Sequence, residues 1–318
     1  MRIIAAASSQ IWHLFVDDGP FATPIILWPC LIWLLDRQGL LTAAAASTML
    51  AIGMIVILVA GAVTPRASTG AEMSDKLTSG AVLTSAPLAR AMDVTYAYWF
   101  AMLAASALGT NLGDLWAEVL LPGRFSSLAC LLAVCAVAVW YDRRAAARSE
   151  ASYWVAIVVM RAAATNLADI ITHDLAMNYV LASALLAVLT LVAARFTHPD
   201  PVRRGSPLVD GAYWVAMFIA GLFGTVAGDF IHHSIGLYAA SGLLCLMLAG
   251  LIGSRDVTAS KPMLLYWGIV MVERCAGTAV GDALASRRAV GLGVLVASAC
   301  TAAVMFGALW IRAQQRRR

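Results

Sequence analysis

The sequence predicts an all-α integral membrane protein of about ten transmembrane helices, built as four parallel-oriented two-helix repeats after an N-terminal hairpin. Three observations carry that expectation. The 318 residues are 61% hydrophobic and only 13% charged, where soluble domains carry roughly 25% charged residues. Runs rich in Ala, Leu and Val recur at the length of about 18 residues or more that a spanning helix needs. One motif returns four times with unchanged internal spacing.

No cleavable leader is expected at the first element, because IIAAASS after Met1-Arg2 is short and runs into the polar HLFVDDGP. Apolar runs at 22–35 and 40–63 form a hairpin within a first segment, 1–66, and the Ser/Thr/Gly/Ala-rich stretch that follows, 67–95, reads as a cytoplasmic loop. The repeats occupy 96–148, 149–208, 209–260 and 261–318. They open YWFAMLAASALGTNLGD, YWVAIVVMRAAATNLAD, YWVAMFIAGLFGTVAGD and YWGIVMVERCAGTAVGD, and in each the tryptophan (Trp99, Trp154, Trp214, Trp267) precedes an aspartate (Asp114, Asp169, Asp229, Asp282) by 15 residues. A second apolar run completes each unit, near 126–141, 178–196, 236–253 and 289–312.

Basic residues follow the second runs: Arg143, Arg144 and Arg148, then Arg195, Arg203 and Arg204, then Arg255 and Lys261, then Arg316 to Arg318. By the positive-inside rule the tryptophan ends and both termini are cytoplasmic, in a bacterial inner membrane. The net charge of +4 is thereby a topology signal, and no nucleic-acid partner is expected; the partners are the lipid bilayer and a small ion or solute. The Tyr-Trp pairs read as an aromatic belt at the cytoplasmic interface. All six cysteines sit in apolar runs without a CxxC pair, which points to packing rather than disulfides or a thiolate metal site.

The YW–x9–[GA]T–x2–[GA]D units resemble a bacterial family of uncharacterised membrane-anchored proteins with four tandem two-helix repeats of unknown function, each with a characteristic tryptophan. The resemblance covers about 96–312. It implies the same repeated helix-pair fold and brings no established activity.

Function is therefore read from the residues. An α-helix returns to nearly the same face every four residues, with a drift of about 40°. That step gives four ladders: Ser106–Thr110–Asp114–Glu118, Arg161–Thr165–Asp169–His173, Gly221–Thr225–Asp229–His233 and Arg274–Thr278–Asp282–Ser286. Beside them run Gly109/Gly113, Ala164/Ala168, Gly224/Gly228 and Gly277/Gly281, small pairs that let helices approach closely. Ionisable groups inside a membrane mark substrate and ion paths. With Glu273 included, six carboxylates face two permanent cations, Arg161 and Arg274. The expectation is a transporter of a small cation, in particular a divalent transition metal. Its path is lined by the four aspartates, Thr110, Thr165, Thr225, Thr278, Arg161, Arg274 and Glu273. Carboxylate with imidazole suits transition metals, so the metal-binding candidates are Asp229 with His233, Asp169 with His173, and Asp114 with Glu118. A bound divalent metal ion is the one cofactor to look for. Alternatives are an anion or organic-acid carrier using the two arginines, and a membrane scaffold or receptor in which the ladders only pack. No nucleophile motif, Walker loop or dinucleotide fingerprint is present, and no enzymatic activity is expected.

Overall fold

The computed structural model describes residues 38, 90–120, 124–144, 150–201, 205–254 and 262–315. The expected N-terminal hairpin and most of the 67–95 loop lie outside the described residues. Within them the fold is all-α, with eight helices. These are α1 (Tyr96–Leu115), α2 (Arg124–Arg144), α3 (Glu150–Asp169), α4 (Tyr179–Arg195), α5 (Gly211–Ile235), α6 (Leu237–Ser254), α7 (Pro262–Ala285) and α8 (Gly293–Gln315). Six of them are long and apolar enough to cross a membrane; α4, at 17 residues, is shorter, and α1 is not among the six. Wide helical turns of π type extend α1 over Trp116–Leu120 and α3 over Ile170–Asp174.

Helix starts follow local chemistry. The Thr95 hydroxyl accepts from the Tyr98 amide at 3.2 Å and the Asp210 carboxylate from the Tyr213 amide at 2.8 Å, satisfying amides that lack an intrahelical partner. Pro262 opens α7, at the position where its missing N–H costs nothing. Gly236, at φ 86°, ends α5 in a conformation that a side chain would oppose.

The helices form two layers. α1, α3, α5 and α7 pack in a closed cycle, each against the next and α7 against α1. The outer helices do not sit mainly on their own partners. α2 packs on α3, α4 on α5, α6 on α7, and α8 returns to α1, so each unit's second helix chiefly covers the next unit's first. The most apolar windows of α3, α5 and α7 are 72, 78 and 83% buried, against 22, 22 and 28% for α2, α6 and α8. The outer helices keep exposed apolar faces and the inner layer is enclosed by protein, which is the arrangement that makes polar residues inside an apolar bundle tolerable.

Complementary sizes set the inner contacts. A Cβ on Gly109 would lie 2.5 Å from Arg161 Cβ, one on Gly224 would lie 2.2 Å from Arg274 Cβ, and one on Gly277 would lie 2.3 Å from Ser106 Cβ. At the fourth contact the sizes invert: Ala164 supplies the Cβ and meets Gly221, with 3.0 Å to an added Cβ. Wherever the facing residue has a side chain, the small residue is glycine. Backbones this close leave no room for relaxation.

A short antiparallel pairing of β1 (Arg90–Ala91) with β2 (Leu208–Val209) crosses the end of the bundle where the Tyr-Trp pairs lie. It draws the last residues of the 67–95 segment onto the loop before α5. Arg312 on α8 fastens the same end. It is buried, pairs with Glu150 at the start of α3, donates to the Asp93 carbonyl at 2.7 Å and to Thr95 Oγ1 at 3.2 Å, and lies 5.3 Å from the Tyr98 ring centre.

Gly224→Ala is expected to destabilise the protein by about 1–3 kcal/mol, the usual cost of overpacking. Gly253→Ala, which meets nothing within 4 Å, is expected to be neutral. Thermal unfolding of the two variants side by side in detergent checks the contrast.

Candidate functional site along the bundle axis

The four inner helices carry five polar or sulfur-bearing layers along their shared face, spaced four residues apart. The first is a ring of tyrosines. Tyr98 Oη lies 3.0 Å from Tyr153 Oη, Tyr153 Oη 2.6 Å from Tyr213 Oη, Tyr213 Oη 3.3 Å from Tyr266 Oη, and Tyr266 Oη 2.8 Å from Tyr98 Oη. A hydroxyl can donate one bond while accepting another, so four of them running in one rotational sense satisfy one another completely. Each tyrosine also packs on the tryptophan of the following unit: Tyr98 on Trp154 at 5.8 Å, Tyr153 on Trp214 at 5.7 Å, Tyr213 on Trp267 at 5.8 Å and Tyr266 on Trp99 at 5.4 Å between ring centres. All eight aromatics are at most 3% exposed. The expected interfacial belt is thereby corrected. The motif builds a buried plug on the axis, because hydroxyls that would face water at an interface here bond to one another.

Two layers on, the arginines occupy the axis, both 1% exposed. Arg274 donates through Nη1 to Ser106 Oγ at 3.0 Å and through Nη2 to the sulfurs of Met217 and Met102 at 2.9 and 3.4 Å. Its Nε is 3.5 Å from a carboxylate oxygen of Glu273. Arg161 reaches the other way. Its Nη1 donates to the Gly221 carbonyl at 2.7 Å and to Thr225 Oγ1 at 2.6 Å, and its Nη2 to Thr278 Oγ1. Among the described residues no carboxylate pairs directly with Arg161. The two guanidiniums are therefore stacked along the axis, Arg274 towards the tyrosines and Arg161 towards the aspartates. All four threonines return their hydroxyls to the carbonyl one turn back, and Thr225 and Thr278 in addition accept from Arg161.

The aspartate layer closes the sequence of polar groups and opens into a vestibule of about 1050 Å³ lined by Asp114, Glu118, His232, His233, Asp282, Arg287 and Arg288, among others. The structure brings Asp229 and Asp282 together with His232, one ligand atom from each lying within 4.8 Å of the others. His232 Nδ1 is 3.3 Å from Asp282 Oδ2 and 3.9 Å from Asp229 Oδ1. His233, the histidine expected beside Asp229, is exposed and meets the Tyr179 ring edge-on at 5.9 Å. The reason is angular. A step of four residues turns about +40° and a step of three about −60°; from Asp229 the first leads towards α4 and the second towards Asp282 on α7.

Asp169 and His173 do approach each other, with 3.9 Å between Oδ1 and Nδ1, but His173 is exposed and Thr172 Oγ1 lies 3.2 Å from its Nδ1. Asp114 and Glu118 both line the vestibule, Glu118 on the exposed side of its wide turn. The six metal candidates thus do not form three equal half-sites. One of them, Asp229, joins Asp282, expected only as a path residue, and His232, a residue outside the expected set.

His232 had one available signal: the HH dipeptide offers two faces, and only the three-residue step points to the neighbouring inner helix. The tyrosine ring had another. Extending each ladder back by two further steps of four runs through Met102, Ile157, Met217 and Val270 to Tyr98, Tyr153, Tyr213 and Tyr266.

A family model described as a repeat of unknown function (DUF347) matches residues 265–318, which hold most of α7 and all of α8. No curated protein and no solved structure matches the chain.

Tyr153→Phe removes the hydroxyl from two of the four ring contacts and leaves its neighbours short of a partner. The expected loss is about 1–3 kcal/mol. Replacing all four tyrosines by phenylalanine is expected to cost less than four times the single change, because no orphaned hydroxyl remains. Melting temperatures of the single and quadruple variants decide it.

Proposed function

We propose that the protein is a membrane transporter of a small metal cation of the transition series, seated in a bacterial inner membrane with ten spans, four tandem two-helix repeats and cytoplasmic termini. The observation that carries this reading is the Asp229–His232–Asp282 cluster, of which His232 and Asp282 line the vestibule and Asp229 lies buried behind them. Two carboxylates and an imidazole nitrogen held this close repel one another unless a proton or a cation lies among them, and carboxylate with imidazole is a ligand set for transition metals. The clusters of basic residues after the second helix of each unit support a cytoplasmic tyrosine end and a periplasmic vestibule. In that orientation the vestibule gathers the ion, the cluster holds it, and the arginines and the tyrosine ring close the way onward. Passage requires the inner helices to shift so that both guanidiniums leave the axis.

Elemental analysis of the purified protein, beside uptake of a metal panel into proteoliposomes, tests this. Asp229→Asn and His232→Ala are expected to lower retained metal by about tenfold or more, while His233→Ala leaves retention close to that of the parent. Ligands bind metal only when deprotonated, so retention is expected to fall as the medium is acidified. Unchanged metal content and uptake in folded Asp229→Asn and His232→Ala would remove the cation reading.

One observation favours a second reading. Arg161 is a buried cation held by hydroxyls and carbonyls alone, one turn from the mouth, which is a setting for an anionic substrate group. Loss of anion uptake in Arg161→Ala and Arg274→Ala, with cation uptake absent from the parent protein, would establish the carrier in its place.

A further inference from the structure

Arg274 holds its charge among weak partners. Thioether sulfur is a poor acceptor, yet Nη2 donates to two of them, Met217 at 2.9 Å and Met102 at 3.4 Å. The methionines stand three residues after Trp214 and Trp99, on α5 and α1, where α3 and α7 carry Ile157 and Val270. Two sulfurs thus converge from non-adjacent members of the inner cycle. Ser106 Oγ completes one side at 3.0 Å, and the Glu273 carboxylate stands 3.5 Å from Nε. Among the described residues neither Glu273 oxygen has a hydrogen-bond donor in bonding geometry. Met102, Met217, Ser106 and Glu273 are all at most 1% exposed.

Two thioethers, a hydroxyl and a carboxylate around one positive charge are the surroundings of a soft metal ion, since thioethers select Cu(I) over harder cations. We propose that they form a second cation subsite, held in this structure by the guanidinium of Arg274 as a tethered stand-in, and that the ion it takes is a soft monovalent one, Cu+ or its redox-inert analogue Ag+. The inference rests on reading the axis as a cation path and narrows the substrate class of that path. An ion arriving from Asp229, His232 and Asp282 displaces the guanidinium, which swings aside. One positive charge replaces another, so the charge facing Glu273 is unchanged, and a monovalent ion meets that condition where a divalent one does not. No bond is made or broken beyond ligand exchange.

The test uses the full chain in detergent with methionine methyl groups labelled in carbon-13 and silver nitrate as the probe. Cysteine thiols also bind Ag+, so the readout is the methyl resonances, assigned by their loss in Met102→Leu and Met217→Leu. In Arg274→Ala, Ag+ is expected to move both resonances at a concentration about tenfold or more below that needed in the parent, and Mg2+ is expected to move neither. Resonances that do not respond, or respond equally in parent and variant, would overturn the proposal. Should Arg274→Ala fail to fold, the double variant Met102→Leu/Met217→Leu, which conserves volume, serves in proteoliposomes. Ag+ uptake is expected to fall by about tenfold or more, and unchanged uptake overturns the subsite. Asp229→Asn and His232→Ala are expected to leave the methionine response of Arg274→Ala in place. Failure of the mouth cluster therefore sinks the transport reading, whereas silent methionines sink this one.

Discussion

The structure depends on how closely four helix backbones approach. Gly109, Gly224 and Gly277 admit the roots of Arg161, Arg274 and Ser106, and Ala164 fills the space that Gly221 leaves. At that separation a side chain on one helix reaches carbonyls and hydroxyls of two others, as Arg161 does with Gly221, Thr225 and Thr278. A charged residue at the centre of a membrane helix costs about 2.5–3.5 kcal/mol on insertion scales. Charge-assisted hydrogen bonds of about 1.5–3 kcal/mol each are of a size to offset it. Were the helices spaced by leucines, neither guanidinium could find those partners.

Four similar helices would by themselves build a fourfold axis, and at the tyrosines they nearly do. Deeper in, the register that holds Ser106 and Gly221 in the first and third units holds arginine in the second and fourth. Two guanidiniums cannot share one layer without repulsion, and they separate along the axis in opposite directions. This splits the core into a sulfur-rich half next to the tyrosines and an oxygen-rich half next to the vestibule. The equivalence of the repeats is thus lost where the charges are, and the same loss selects two aspartates of four to meet His232.

Much of this was legible in the residues. The constant interval from tryptophan to aspartate located the inner helices, and the small pairs located the face that packs. The shared face held from the arginines to the threonines, because one step of four strays only about 40°. It failed past the aspartates for two physical reasons. Accumulated drift turned His233 outward and His232 inward, and the wide turns after α1 and α3 changed the angle between successive residues. The aromatics misled for a different reason: Tyr-Trp at a helix start serves a lipid interface and a buried ring equally well in composition. What distinguishes them is the position of the tyrosine on the ladder itself. The packing of outer helices on the following unit left no mark in any single repeat, since it is a property of the ring.

That exchange of outer helices bears on how the chain is made. During biosynthesis each inner helix emerges just after the outer helix that covers it, except for α1, whose cover is α8, the last helix described. Until α8 arrives, one flank of the first inner helix and its buried tyrosine stand open to lipid or to whatever escorts the nascent chain. Arg312 then draws α8 against Glu150 and the residues just ahead of α1. Assembly is consequently a clasp rather than a stack: three units can thread in sequence, but the inner cycle is not locked until α8 returns to α1.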